Sequence, residues 1–231
     1  MLTVCSNAYL AGMKQQLLRR SLYEVIGTYL LIFFGCGSVT IDQYTGGALG
    51  VVGIGLCWGI AVLVAVYAFG ETSGAHINPI VTLGFWASDR FPGREVLPYW
   101  GAQFLGSTLA ILTWYVLYPD LGYGMTLPSG PVWQSLLLEV VLTFSLMFVI
   151  LKVATGSREI GTQAGISIGL YVGLAAMVGG PVSGASMNPA RSFGPALVEG
   201  NFTDFWVYLV APVAGSLLAV GLFRLLDRTK P

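Results

Sequence analysis

An all-α membrane protein is the fold class this chain predicts, with six transmembrane helices and two re-entrant half-helices arranged as an inverted repeat. Three observations carry that expectation: long apolar runs, a one-sided placement of Lys and Arg, and a duplicated Asn-Pro segment. Of the 231 residues, 55% are hydrophobic and 10% charged, where an ordinary soluble domain has roughly 25% charged. The mean hydropathy is +0.75. These values exclude both a soluble globular protein and a disordered chain. The 31 glycines suit membrane helices whose backbones approach closely. A transmembrane barrel would show ~10-residue alternating segments instead of unbroken apolar runs.

A helix needs ~20 mostly apolar residues to cross a ~30 Å hydrocarbon core. Stretches at about 22–41, 48–69, 96–117, 132–154, 161–180 and 204–226 qualify. Turn residues punctuate the connections, as in Tyr118-Pro119-Asp120 and Leu127-Pro128-Ser129-Gly130. With six spans, Lys14, Arg19, Arg20, Arg90, Arg94, Lys152, Arg158, Arg224, Arg228 and Lys230 all fall on one side. The connections at 42–47 and 118–131 carry no Lys or Arg. The positive-inside rule then places both termini in the cytoplasm, of a cell (plasma or inner) membrane. The first apolar run is already span-length and lacks a small-residue cleavage site, so it reads as a span and not a cleavable signal.

The total of 11 Lys+Arg equals the 11 Asp+Glu, leaving no basic surface for nucleic acid. Three cysteines, Cys5, Cys36 and Cys57, form no CxxC, and His76 is the sole histidine. That inventory implies no metal site and no cofactor. No nucleophile–base pair marks an enzyme.

The segments Ser73-Gly74-Ala75-His76-Ile77-Asn78-Pro79 and Ser183-Gly184-Ala185-Ser186-Met187-Asn188-Pro189 agree at five of seven positions, 110 residues apart. Glu24 and Thr28 in the first span echo Glu139 and Thr143 in the fourth, 115 apart. The chain therefore reads as one channel domain over 1–231, with repeats at about 20–117 and 132–226. Each repeat holds three spans, an odd number, so the second copy enters the membrane inverted.

Asn is a preferred N-cap and Pro a preferred first helical residue. Each motif thus reads as a loop that re-enters the membrane and starts a short helix at its Asn. The 11 residues from Asn78 to Ser88 would span ~16 Å, roughly half the hydrocarbon thickness. Non-helical backbone at that depth must be buried in protein or line a water-filled cavity. Two inverted half-helices would meet with their N-termini facing, each contributing roughly half a positive charge. Asn78 and Asn188 add side-chain N–H donors. Such a midplane admits neutral oxygen-bearing molecules and repels cations, protons included.

The paired motifs Asn78-Pro79-Ile80 and Asn188-Pro189-Ala190-Arg191, set in an inverted three-span repeat, resemble those of the aquaporin (major intrinsic protein) family over nearly the whole chain. The resemblance implies a six-helix, two-half-helix channel for water and small neutral solutes, surrounded by membrane lipid. It also implies a homotetramer with one pore per protomer. Ile80 stands where the family usually has Ala. Carried over by distance from the motifs, the family's narrow filter falls on Trp58, Ala176, Ala185 and Arg191. The resemblance assigns motif support to Pro79, Ile80, Pro189, Ala190, Glu24, Glu139 and His76.

A Trp/small/small/Arg filter resembles glycerol facilitators and plant nodulin-like intrinsic proteins more than strict water pores, which carry a Phe/His/small/Arg ring. Ser192 and Ala196 resemble the water-channel pattern instead, whereas Tyr208-Leu209 resembles the nodulin-like group. The expected solutes are water, glycerol and boric, silicic or arsenous acid. A strict water channel is the alternative, and a proton-coupled transporter working through Glu24 and Glu139 is a remoter one. The resemblance gives both carboxylates a structural role instead, as acceptors for the backbone N–H groups of the re-entrant loops. His76 reads as a hydrogen-bonded packing histidine, with a pH gate as its functional alternative. Cys57 reads as a small packing residue off the pore face. Glycines 46, 47, 50, 53, 55 and 59 read as close helix packing.

Overall fold

The computed structural model describes residues 2–154 and 163–227, so the predicted cations Arg158, Arg228 and Lys230 lie outside the described residues. Eight α-helices occur among the described residues: α1 Leu2–Tyr44, α2 Gly50–Ser73, α3 Pro79–Ala87, α4 Val96–Leu117, α5 Val132–Ala154, α6 Ala164–Ser183, α7 Pro189–Glu199 and α8 Val207–Asp227. Six are membrane-length, and α3 and α7 are the two half-helices. Helices α4 and α5 coincide with the stretches expected from hydropathy. Helix α1 begins well before its apolar run, because hydropathy marks where a helix meets lipid and not where hydrogen bonding starts.

Five of the helices are both long and apolar enough to cross a membrane on composition alone. The sixth, α4, has the length, 22 residues, but carries Gln103, Ser107, Tyr99 and Trp100. Gln103 and Ser107 are fully buried against protein, so their polarity is spent inside the bundle and not against lipid. Large apolar residues such as Leu97, Val116, Leu170 and Val178 are instead exposed on the outer surface, as lipid-facing positions require.

Close helix approach falls on particular glycines. A Cβ at Gly59 would lie 2.6 Å from the Gly169 carbonyl oxygen, and one at Gly55 would lie 2.9 Å from that of Gly173. This seam packs α2 on α6. The expectation for the remaining glycines is corrected: Gly46, Gly47 and Gly50 have positive φ and nothing within 4 Å, and Gly53 would meet only Leu49 of its own segment. The first three shape the α1–α2 turn. There the Asp42 carboxylate accepts from the N–H groups of Leu49 and Gly50 at 2.9 and 2.8 Å, satisfying exposed helix-start donors.

The two halves are built alike. Gly106 of α4 packs on α1 beside Thr28, and Gly215 of α8 packs on α5 beside Thr143. At one end of the bundle, ion pairs join Arg20 to Glu95, Lys152 to Asp227 and Arg224 to Asp89, tying together α1, α5, α8 and the connection between α3 and α4.

Candidate pore

The re-entrant loops are organised by the two carboxylates inside long helices. Glu24 Oε1 accepts from the Ser73 hydroxyl at 2.7 Å and the His76 N–H at 2.9 Å. Its Oε2 accepts from the Ile77 N–H at 2.6 Å and Gln103 Nε2 at 2.8 Å. Glu139 repeats the pattern with the Ser183 hydroxyl at 2.8 Å and the N–H groups of Ser186 and Met187 at 2.7 and 2.8 Å. Both carboxylates are fully buried, and a buried carboxylate is tolerated only when its oxygens are supplied with donors.

That pull on successive N–H groups gives the two loops the same unusual backbone. Ala75 and Ile77 have φ of 46° and 45°, and Ala185 and Met187 have φ of 44° and 51°. Left-handed conformation is unfavourable for non-glycine residues, most of all for β-branched Ile77. It persists here because each loop is held at several points at once.

Each Asn then starts its half-helix. Asn78 Oδ1 accepts from the Ile80 N–H at 2.8 Å, and Asn188 Oδ1 accepts from the N–H groups of Ala190 and Arg191 at 3.0 and 3.3 Å. Pro79 and Pro189 occupy the first helical positions. The Asn Nδ2 groups cross between halves: Asn78 donates to the Met187 carbonyl and Asn188 to the Ile77 carbonyl. An amide nitrogen carries two hydrogens, so each Asn keeps one beyond this brace.

Asn78, Asn188, His76, Trp58, Ala176, Ala185 and Arg191 all line one cavity of about 820 Å³. The guanidinium carbon of Arg191 lies 5.0 Å from the centre of the Trp58 ring, within cation–π range. Arg191 Nη1 donates to the Gly124 carbonyl at 2.5 Å. Ile80 is buried but absent from the cavity wall. Its bulk faces protein, and its carbonyl accepts from the α8 hydroxyl of Ser216. The Pro79 carbonyl accepts from Trp100 Nε1 at 3.0 Å.

His76 sits among aromatic rings, 4.8 Å from both Phe85 and Phe91 and 5.2 Å from Tyr99. Its Nδ1 is 3.0 Å from Thr82 Oγ1. Ser186 occupies the matching position in the second loop and bonds Ser192, which is bonded in turn by Thr126.

Several contributors escaped the sequence reading. Ser107 of α4 donates to the Ala190 carbonyl at 2.5 Å, and Ser216 of α8 faces the Ile80 carbonyl at 3.4 Å. The paired dipeptides Gly106-Ser107 and Gly215-Ser216, 109 residues apart, were a third internal echo that could have exposed them. Gly124 and Thr126 lie in a connection without periodicity, which offered no such signal.

A bundle of membrane-length helices enclosing a cavity lined by the starts of two facing half-helices defines an integral membrane channel. Comparison with known proteins agrees. The family model for the major intrinsic protein matches residues 12–223. Aquaporin NIP1-1 of Oryza sativa subsp. japonica is 47% identical over 214 residues, covering 92% of this chain and 75% of that protein. Aquaporin NIP1-2 of Arabidopsis thaliana is 42% identical over 221 residues, covering 92% of this chain and 75% of that protein. The X-ray structure of the aquaglyceroporin from Plasmodium falciparum superposes with a TM-score of 0.79 at 27% identity, covering 90% of this chain and 95% of that one. The chain belongs to the major intrinsic protein (aquaporin) family. It is a passive channel for water and small solutes, and not an enzyme.

Proposed function

We propose that the channel conducts water together with small uncharged hydroxylated solutes, namely glycerol and boric, silicic or arsenous acid, and excludes ions and protons. The observation that carries this reading is the cavity wall itself: the Arg191 guanidinium lies 5.0 Å from the Trp58 ring centre, and the small residues Ala176 and Ala185 line the same cavity. Arg191 supplies fixed donors and repels cations; Trp58 offers an apolar face for a carbon skeleton. The remaining N–H of Asn78 and of Asn188 orients oxygen-bearing solutes where the two helix N-termini meet, and the positive ends of those helices oppose protons.

Coupling to protons is disfavoured because the oxygens of both Glu24 and Glu139 are already taken by donors that hold the loops. The working unit is one pore domain over 1–231, with inverted repeats at about 20–117 and 132–226. It assembles as a homotetramer in the lipid of a cell membrane with both termini cytoplasmic, an orientation supported by the one-sided cations.

Stopped-flow measurement on proteoliposomes tests the reading by comparing water, glycerol and boric acid in one preparation. All three should equilibrate faster than in empty vesicles, with or without a protonophore. Acceleration of water alone would leave the strict water channel. Uptake that collapses with the proton gradient would leave the coupled transporter.

A further inference from the structure

We infer that Gly35, buried on helix α1 and not itself part of the cavity wall, sets the width of the constriction by seating the indole of Trp58. The inference rests on the proposed role of Trp58 as a filter wall and adds what holds that wall back.

Trp58 is reached on one side by the cavity, which it lines, and on the other by α1. A Cβ placed on Gly35 would overlap three atoms of the six-membered ring of Trp58, at 2.4 to 2.5 Å. The indole therefore lies directly on the α1 backbone, in a notch that exists only because residue 35 has no side chain. Its surroundings leave little room to slide sideways, since Leu31, Ile32, Cys36 and Ala61, all buried, form the same apolar cluster. Leu31 also borders the cavity. Gly35 itself is helical, with no positive φ, so backbone conformation does not demand a glycine there. The close approach of a rigid bicyclic ring does.

A methyl group at residue 35 sends that ring toward the cavity, whose wall it shares with Arg191 and Ala176. An indole is rigid, so the displacement at its base carries to its far edge. A shift of even part of an ångström matters more to glycerol than to water, because the larger solute already fills the opening. Gly35 is thus a positioning residue for solute size. It touches no solute and acts through Trp58.

The test is a cycle of four channels, wild type, Gly35→Ala, Trp58→Ala and the double variant, each read as the ratio of glycerol to water permeability per folded channel in proteoliposomes. Gly35→Ala should lower the ratio roughly tenfold, equivalent to ~1.4 kcal/mol in relative barrier height. In the Trp58→Ala background the same substitution should leave the ratio unchanged, because the ring it displaces is gone. An unchanged ratio in Gly35→Ala, beside a changed ratio in Trp58→Ala, overturns the inference and leaves the filter assignment standing. A ratio unchanged in Trp58→Ala overturns the filter assignment itself. Equal effects of Gly35→Ala in both backgrounds would show that residue 35 acts on helix packing and not through the indole, which also overturns the inference. If Gly35→Ala alone does not fold, Trp58→Phe is the background in which to introduce Gly35→Ala. The smaller ring tolerates the methyl group better, and the ratio must still fall when it is added.

Discussion

Asn78 and Asn188 each brace the loop that precedes the other: Asn78 Nδ2 donates to the carbonyl of Met187 at 2.8 Å, and Asn188 Nδ2 to that of Ile77 at 3.0 Å. These two side chains thus do three things at once. They cap their half-helices, lock the two repeats together, and present a spare donor to the cavity. Ile77 and Met187, the residues whose carbonyls accept, are among those with left-handed backbone, so the brace also holds strained conformation in place.

Asn78→Ala and Asn188→Ala should each lower stability by about 1–2 kcal/mol, combining a lost cap with a lost cross-loop bond. Detergent-solubilised protein titrated with denaturant reads the stability, and stopped-flow reads flux. Each variant should show reduced permeability even per folded channel. Normal stability and normal flux in both would remove these residues from the pore.

The carboxylates should behave as structural acceptors. Glu24→Gln and Glu139→Gln each turn an acceptor into an N–H donor facing donors, and a buried group left so mismatched costs about 1–3 kcal/mol. Glu24 should be the more sensitive, since it also accepts from Gln103. Thermal unfolding in detergent checks the order. A well-folded Glu24→Gln channel with altered proton dependence of uptake would contradict the structural role.

Ser107 and Ser216 occupy matching places but should not matter equally. Ser107 lies 2.5 Å from its carbonyl and Ser216 3.4 Å, and hydrogen bonds weaken toward the longer distance. Ser107→Ala should cost about 1 kcal/mol and Ser216→Ala little. Equal losses in denaturant titration would show that the two repeats are braced alike.

Ala176→His is the sharpest probe of width. The added ring occupies space now left by a methyl group, so glycerol should be shut out. Water, roughly 2.8 Å across, should still pass between the imidazole and Arg191 as both donor and acceptor. The glycerol-to-water ratio should fall by at least about tenfold. A ratio that does not change, with both permeabilities falling together, would place Ala176 outside the filter.

Much of this architecture is legible in the amino-acid sequence. Lipid demands apolar runs of a set length and internally satisfied backbone, so α5 can be read from hydropathy nearly residue by residue, and α4 keeps its expected bounds despite the polar residues it buries. Asn before Pro is a local capping signal, and the starts of α3 and α7 follow from it. Duplication helped further, because a match between two halves singles out Glu24 and Glu139 without any knowledge of what they touch. The glycines show the limit of such reading. Composition treats Gly47 and Gly59 as equivalent, yet one shapes a turn and the other admits a neighbouring helix.

The membrane class, the starts of the two half-helices and the inverted pairing of the motifs are all written in the chain, since each depends on adjacent residues or on a repeated pattern. Packing alone settles that Gln103 completes the Glu24 site, that Gly124 holds Arg191, that Ile80 lies off the cavity wall, and that Gly35 makes room for Trp58. Those outcomes join residues 23 to 136 positions apart. A contact between two distant residues leaves no period and no local propensity behind. It is settled by which side chains fill the same volume once the helices have packed.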